Sequence, residues 1–252
     1  MRRAFNEFLT ALMLLTRVPV GRWCVYSQEA VAASVAFFPV IGALVGMVAA
    51  GALALGATAF PAKITALLSM LATVLFTGAI HEDGLADSAD GLLGGNTPPR
   101  RLEIMKDSRL GSFGALALWF SLSAKWMLLC ELLEGGLILA CRASFLAHFL
   151  GRAASVVMLH LQPHVGTDPG RARPFCERLP KHRLLAALLP PVATCLLLFP
   201  LHAVPILASV TLVIFAAEGF FQRRIGGITG DCLGATVQFT ELAVLALSCS
   251  RT

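Results

Sequence analysis

Charged residues are gathered into short blocks separated by long apolar stretches. Nothing is charged between Glu29 and Lys63. A bilayer crossing needs about 20 mainly apolar residues with the backbone paired inside a helix, so each long apolar stretch predicts a span. Residues 31–60 give one, containing Pro39, and 64–80 a second after the turn at Pro61. Residues 110–133 and 137–159 give a third and fourth, with the turn at Glu134-Gly135-Gly136. Residues 184–217 suffice for two crossings, and the prolines at 190, 191, 200 and 205 favour a break near 200–205. Residues 233–250 form the last span. The pattern predicts an all-α, polytopic integral membrane helical bundle of about seven transmembrane helices, within a range of five to eight.

Composition sharpens this picture. Of 252 residues, 57% are hydrophobic and only 14% charged, against roughly 25% charged in soluble domains; mean hydropathy is +0.77. A soluble cytoplasmic enzyme is excluded, because most of the exterior must face lipid. The net charge of +5 suits anionic headgroups or phosphate-bearing substrates and gives no specific reason to expect nucleic acid. The seven cysteines are scattered and odd in number, with no metal spacing, and read as small buried hydrophobes. At the amino terminus, Arg2 and Arg3 precede the short apolar stretch 8–15. Glu7 and a poor cleavage site argue against a signal peptide, leaving an amphipathic or re-entrant element at the interface.

The hydrophilic segments sort by charge. Residues 81–109 hold Arg100, Arg101, Lys106 and Arg109; 160–183 hold Arg171, Arg173, Arg178, Lys181 and Arg183; 222–232 hold Arg223 and Arg224. With seven spans, all three loops and the amino terminus fall on one side, which the positive-inside rule makes cytoplasmic. Residues 1–252 then form a single polytopic membrane domain. It carries an acidic/basic catalytic loop at 81–109, a basic loop at 160–183 and a glycine-rich loop at 222–232. The opposite side has almost no loops, which argues against a receptor. Lys125, Arg142, His148 and Arg152 lie within spans and should face a bundle interior or interface. Glu241, also within a span, is a functional-site candidate by its place alone. Gly42, Gly46 and Ala50 recur at spacing four, which allows close helix packing.

The segment His81-Glu82-Asp83-Gly84-Leu85-Ala86-Asp87-Ser88-Ala89-Asp90-Gly91 is the richest in chemistry. As a helix it puts Asp83, Asp87 and Asp90 on one face. Like charges so close repel unless a cation lies between them. Carboxylates are hard oxygen ligands suited to magnesium or manganese held jointly with phosphates. The competing reading is a solvated boundary helix. Glu82 lies off the main face as a supporting or alternate metal ligand, and His81 is a proton-transfer group or an interfacial histidine. Lys106 and Arg109 are candidate phosphate contacts, ahead of Arg100 and Arg101. Asp231, in a glycine-rich turn, either completes a metal or nucleotide site or caps the last helix.

Four stretches together resemble the cobalamin synthase family of adenosylcobinamide-GDP ribazoletransferases. They are Leu14-Leu15-Thr16-Arg17-Val18-Pro19-Val20, the acidic run 81–91, Met105-Lys106-Asp107-Ser108-Arg109-Leu110-Gly111-Ser112-Phe113-Gly114, and Gly226-Gly227-Ile228-Thr229-Gly230-Asp231-Cys232-Leu233-Gly234-Ala235. The resemblance implies a magnesium-dependent, multi-pass enzyme of the bacterial inner membrane with its active site facing the cytoplasm. It would act late in cobalamin biosynthesis, joining adenosylcobinamide-GDP to α-ribazole or its 5'-phosphate and releasing GMP. It implies metal and diphosphate binding at Asp83, Asp87 and Asp90, with Lys106, Arg109, Arg152 and Asp231 as substrate contacts. A carboxylate or His81 would take the attacking hydroxyl's proton. Ser88 stands where threonine is usual and Glu82 at a variable position. Membrane lipid is an expected partner, and the architecture is compatible with a homo-oligomer. Two alternatives remain. A CDP-alcohol phosphotransferase would need an Asp-Gly-Ala-Arg spacing that 83–91 does not show. A transporter should keep its essential polar groups near midplane.

Overall fold

A computed structural model describes residues 2–165 and 179–249; Arg171, Arg173, Cys176 and Arg178 lie outside the described residues. Within them run eleven α-helices: α1 (Arg2–Leu15), α2 (Gln28–Ser34), α3 (Phe38–Gly56), α4 (Ala62–Thr77), α5 (Ile80–Gly94), α6 (Pro98–Ile104), α7 (Ser112–Glu134), α8 (Leu137–Leu161), α9 (Lys181–Leu198), α10 (Ala203–Ile225) and α11 (Gly230–Ser248). A 3-10 turn at Val35–Phe37 joins α2 to α3, so Gln28–Gly56 forms one apolar rod. Six helical stretches are long and apolar enough to cross a bilayer, or seven if the pair α4 and α5, bent by 87°, counts as one span. The described chain is therefore a multi-pass helical membrane protein.

Local chemistry explains the boundaries. Ser27 Oγ accepts the Ala30 N–H to start α2, and Thr229 Oγ1 accepts the Cys232 N–H to start α11. The long apolar run near the carboxyl end divides after Leu198, where Phe199, Pro200 and their neighbours make the turn. Pro205 falls in the first turn of α10, where its missing N–H costs nothing. Pro190 and Pro191 instead lie inside α9, which continues through them.

The centre of the bundle is α8, packed mainly against α3 and α11. A Cβ on Gly42 would stand 2.5 Å from the His148 carbonyl oxygen, and one on Gly46 2.9 Å from the Phe145 Cα. One turn further, Cys141 Sγ approaches the Ala50 carbonyl at 3.5 Å. The small residues at spacing four thus bring two backbones into contact, as the sequence predicts. The outer surface is apolar: Leu55, Leu75, Trp119, Phe120, Leu197 and Leu212 are all exposed. Within the long helices Ser69, Lys125, Arg152, Gln238 and Glu241 are buried, the reverse of a soluble domain. Among the described residues the cysteines are free.

The amphipathic α1 lies at the end of the bundle that holds the loops. Its buried Glu7 takes hydrogen bonds from Arg3 and from Arg183 at the start of α9. The Arg17 N–H meets the Phe76 carbonyl at 2.8 Å, and a bridge pairs His164 with Ile228. The Arg101 guanidinium donates to the Gly95 carbonyl at 2.9 Å and to the Arg224 carbonyl at 2.7 Å. These ties gather the ends of α4, α8 and α10 and the starts of α7, α9 and α11 at one end. They also use Arg101 as a buried main-chain pin rather than a phosphate contact.

Candidate active site

What the sequence treats as a loop at 81–109 contains two helices, α5 and α6. The chain reaches α5 through Gly78 (φ 72°) and Ala79 (φ 60°), consecutive left-handed residues that turn it by nearly a right angle. Glycine takes this conformation freely, alanine at a cost of about 1–2 kcal/mol. The space above Gly78 is filled by Arg17, whose Nε would lie 1.9 Å from a Cβ there. Arg17 and Gly78 therefore hold α5 across the end of the bundle rather than along it.

The acidic face is built by a crossing of α5 over α11. A Cβ on Gly84 would lie 2.9 Å from the Asp231 carbonyl oxygen, and one on Gly234 3.2 Å from the His81 carbonyl oxygen. The two backbones touch at this point. Asp87, half-buried, consequently lies in the field of three other carboxylates, those of Asp83, Asp231 and Asp90. Asp231, in the first turn of α11, joins the group, and Thr229 Oγ1 donates to its Oδ2 at 3.3 Å. Among the described residues no cation pairs with Asp83 or Asp87, so there the repulsion stands uncompensated by the protein.

Asp90 differs from its neighbours. Its Oδ2 accepts the Gly111 N–H at 2.7 Å and its Oδ1 the Gly114 N–H at 2.8 Å. It caps the first turn of α7 in trans, where the helix's positive end favours a carboxylate. Both glycines are required: a Cβ on either would fall within 2.4 Å of the Asp90 carboxylate. One lone pair on each oxygen remains.

His81 and Glu82 point away from the acidic face into a buried polar network. Arg152, 2% exposed, directs Nη2 to His81 Nδ1 at 3.3 Å and Nη1 to His148 Nδ1 at 3.0 Å and to Glu241 Oε1. His148 Nδ1 also meets Glu241 Oε1 at 2.7 Å. Lys125 Nζ donates at 2.7 Å to both Glu241 Oε2 and Gln238 Oε1. Gln238 Nε2 continues to Glu82 Oε1 at 3.0 Å, while Glu82 Oε2 is buried and accepts nothing. With Nδ1 facing a guanidinium, His81 carries its proton on Nε2, and its ring lines a cavity of about 150 Å³ beside His164 and Ser155. That tautomer makes His81 a hydrogen-bond donor toward the cavity. Arg152 is enclosed in this network and does not reach the acidic face.

The predicted phosphate contacts between α6 and α7 are exposed. Lys106 makes no side-chain pair, whereas Arg109 grips Asp107 with Nε at 2.9 Å and Nη2 at 2.6 Å and holds that carboxyl down at about 2. Arg100 pairs with Glu103 at 2.7 Å. Arg142 is exposed near the start of α8, close enough to the helix end to reach water along its stem. Among the described residues, no three His, Cys, Asp or Glu side chains converge closely enough to hold a metal ion by themselves. The sequence reading overlooked Gln238 and the helix crossing at Gly84 and Gly234. An amide three residues before Glu241 inside a span was the available signal for Gln238.

Fold and site together define a polytopic helical membrane protein with a carboxylate face at one end and a paired ionic core. The family model described as cobalamin-5-phosphate synthase matches residues 7–249. Three relatives, each named adenosylcobinamide-GDP ribazoletransferase, are similar over nearly their whole length. That of Leptothrix cholodnii is 42% identical over 94% of this chain and 92% of its own. That of Ralstonia pickettii is 41% identical, covering 97% and 95%, and that of Shewanella frigidimarina 37%, covering 98% and 97%. No solved structure matches. The chain belongs to the cobalamin-5-phosphate synthase family, and neither the CDP-alcohol phosphotransferase nor the transporter reading is favoured.

Proposed function

We propose that the protein is an adenosylcobinamide-GDP ribazoletransferase, which joins adenosylcobinamide-GDP to α-ribazole or its 5'-phosphate and releases GMP. The observation that carries this reading beyond the family match is the uncompensated carboxylate face made where α5 crosses α11. Four carboxylates in mutual repulsion suit a site completed by a cation and a diphosphate. Asp83, Asp87 and Asp231 would hold magnesium. Their hard oxygens fit an ion that takes its remaining ligands from phosphates and water, which is why three converging protein groups are not needed. Bound magnesium would polarise the phosphoanhydride and stabilise the charge developing on departing GMP.

The ribazole hydroxyl oxygen forms a bond to the phosphorus that stays with cobinamide, and the bond from that phosphorus to the GMP oxygen breaks. The hydroxyl proton goes to a carboxylate of the acidic face. His81 is the weaker acceptor, because its Nδ1 already faces Arg152. Asp90 holds the start of α7 against α5, which fixes the loop carrying Lys106 and Arg109 near the diphosphate. Positive charge on the loop-bearing end supports a cytoplasmic active site in the bacterial inner membrane.

The test is GMP release by the purified protein in liposomes with adenosylcobinamide-GDP and α-ribazole, with and without magnesium. Release should require both ribazole and magnesium. Asp87→Asn should lower kcat by about 10²–10³-fold in a protein that melts normally. Magnesium-independent release, or full activity of that variant, rejects the assignment.

A further inference from the structure

The buried ionic core is tied to the helix that carries the acidic face. Near its start, α5 is gripped at two consecutive residues from two different helices. Arg152 of α8 reaches His81 Nδ1 at 3.3 Å, and Gln238 of α11 donates from Nε2 to Glu82 Oε1 at 3.0 Å. Towards its other end, Asp90 accepts the Gly111 and Gly114 N–H groups at the start of α7. The glycine crossing at Gly84 and Gly234 fixes how closely α5 and α11 approach. Rotation of α5 about its own axis is left to these side chains.

The orientation of Gln238, 1% exposed, is dictated by its neighbours. Its Oε1 faces Lys125 Nζ at 2.7 Å, and an ammonium can only donate. The amide nitrogen must therefore point the other way, to Glu82. Lys125 is fixed in turn by Glu241 Oε2 at 2.7 Å. Ammonium, amide and carboxylate thus follow one another through α7, α11 and α5, and turning the amide over would set acceptor against acceptor and donor against donor. Glu82 has no second hold: its Oε2 is buried without a partner among the described residues.

We infer that Gln238 is a positioning residue: by holding Glu82 it sets the rotation of α5, and with it the placement of Asp83 and Asp87 against Asp231. The inference rests on the proposed metal-assisted transfer and adds a residue, away from the acidic face, on which that face depends. Glu82 and Asp83 are consecutive on one helix, so whatever turns one turns the other. With side chains reaching about 5–6 Å from the axis, a rotation of about 10° moves a carboxylate by about 1 Å. A misplacement of that size costs roughly 10²-fold where reacting groups must be aligned. Groups that orient metal ligands without touching the ion typically carry about 10–100-fold of metal affinity. Lys125 then serves twice, as a partner of Glu241 and as the anchor of the amide.

The experiment measures manganese binding to the full chain in nanodiscs, without substrates, from the loss of the free-ion paramagnetic resonance signal. Thermal melting and the magnesium dependence of GMP release accompany it. Q238E keeps an acceptor for Lys125 but sets a second carboxylate against Glu82, so the manganese Kd and the magnesium concentration for half-maximal release should both rise about tenfold or more. The double variant E82Q/Q238E rebuilds the link in the opposite sense, because the carboxylate at 238 accepts from Lys125 and from the amide at 82. Both values should return to within about threefold of wild type. Q238M breaks the link without adding charge; it should weaken manganese binding as Q238E does, and it carries the test if Q238E does not fold. T240V, which removes a hydroxyl on the same helix bonded to the Thr236 carbonyl, is the control and should leave the manganese Kd unchanged. An unchanged Kd in folded Q238E or Q238M overturns the proposal. A double variant as weak as Q238E also overturns it, and makes Glu82 a ligand in its own right. If the wild-type chain binds no manganese and releases no GMP, the metal-assisted reading fails and the inference with it; wild-type binding matched by Q238E removes only the positioning role.

Discussion

Two groups of charges lie within a few helical turns of each other and are built on opposite principles. Around Glu241, charge meets its opposite: Lys125 and Arg152 converge on one carboxylate that is 1% exposed, and His148 Nδ1 contacts it as well. Around Asp87, charge meets like charge, with Asp83, Asp90 and Asp231 all acting on it. A buried ion pair must recover a large desolvation cost through close geometry, and the first group does so. Asp83 and Asp87 have only repulsion to offer a folded protein, so their presence beside Asp90 and Asp231 points to a ligand. Both are centred on a carboxylate, and pairing separates scaffold from site.

The largest expected effect breaks the paired group. Glu241→Ala leaves Lys125 and Arg152 facing each other without an anion in a dry interior, and stability should fall by about 3–5 kcal/mol. Thermal melting in detergent checks this, and Glu241→Gln should recover part of the loss by keeping hydrogen bonds. Asp87→Asn is the mirror test, because it removes repulsion: stability should stay within about 1 kcal/mol of wild type or rise. If Asp87→Asn destabilised the fold as much as Glu241→Ala, the distinction between the two groups would collapse.

A smaller effect probes the crossing that assembles the carboxylates. Gly84→Ala sets a methyl 2.9 Å from the Asp231 carbonyl oxygen, so α5 and α11 must separate. The expected cost is about 1–3 kcal/mol, with magnesium affinity lowered as Asp231 moves away from Asp83 and Asp87. Magnesium titration of GMP release separates this from simple unfolding. Gly94→Ala, near the exposed end of α5 with only ordinary contacts to Phe113, should leave the titration unchanged.

The sequence made the spans legible because lipid exposure writes itself into long apolar runs; even the division after Leu198 was visible from prolines. The small face Gly42, Gly46 and Ala50 was legible for the same reason, since a period of four on an apolar helix has a direct meaning. What stayed hidden depends on partners distant in sequence. Lys125 and Glu241 are 116 residues apart and Arg152 and Glu241 89, so single-residue arguments flagged these groups without joining them. The bend at α5 was half visible: Gly78 signals a left-handed residue, but nothing marks Ala79. Spacing likewise made Asp83, Asp87 and Asp90 equivalent, and only the approach of Gly111 and Gly114 sets Asp90 apart.

Asp90 therefore stands between the two groups and gives a graded test. Asp90→Ala removes two hydrogen bonds to the first turn of α7, and a helix-cap loss of about 0.5–2 kcal/mol is expected. Asp90→Asn keeps one oxygen acceptor and should cost less. If Asp90 acts chiefly through α7, both variants should weaken substrate binding more than they change the magnesium requirement. A magnesium requirement raised as strongly as in Asp87→Asn would make Asp90 a ligand in full.

The smallest effect lies outside both groups, on the exposed loop before α7. Arg109 is neutralised by Asp107, whose carboxyl its guanidinium holds at about 2. Because that folded value is depressed, the pairing is complete above the ordinary carboxylate range and is lost only as pH falls through about 2. Across roughly pH 5–9 Arg109 thus approaches a diphosphate with a competing anion already in place, while Lys106 does not. Asp107→Asn frees the guanidinium, and KM for adenosylcobinamide-GDP should fall about two- to fivefold at low salt. Screening should erase the gain at high salt, and Arg109→Ala should raise the same KM by a similar factor. Equal KM values in wild type, Asp107→Asn and Arg109→Ala would take Arg109 out of the diphosphate site and leave Lys106 as the loop's remaining candidate.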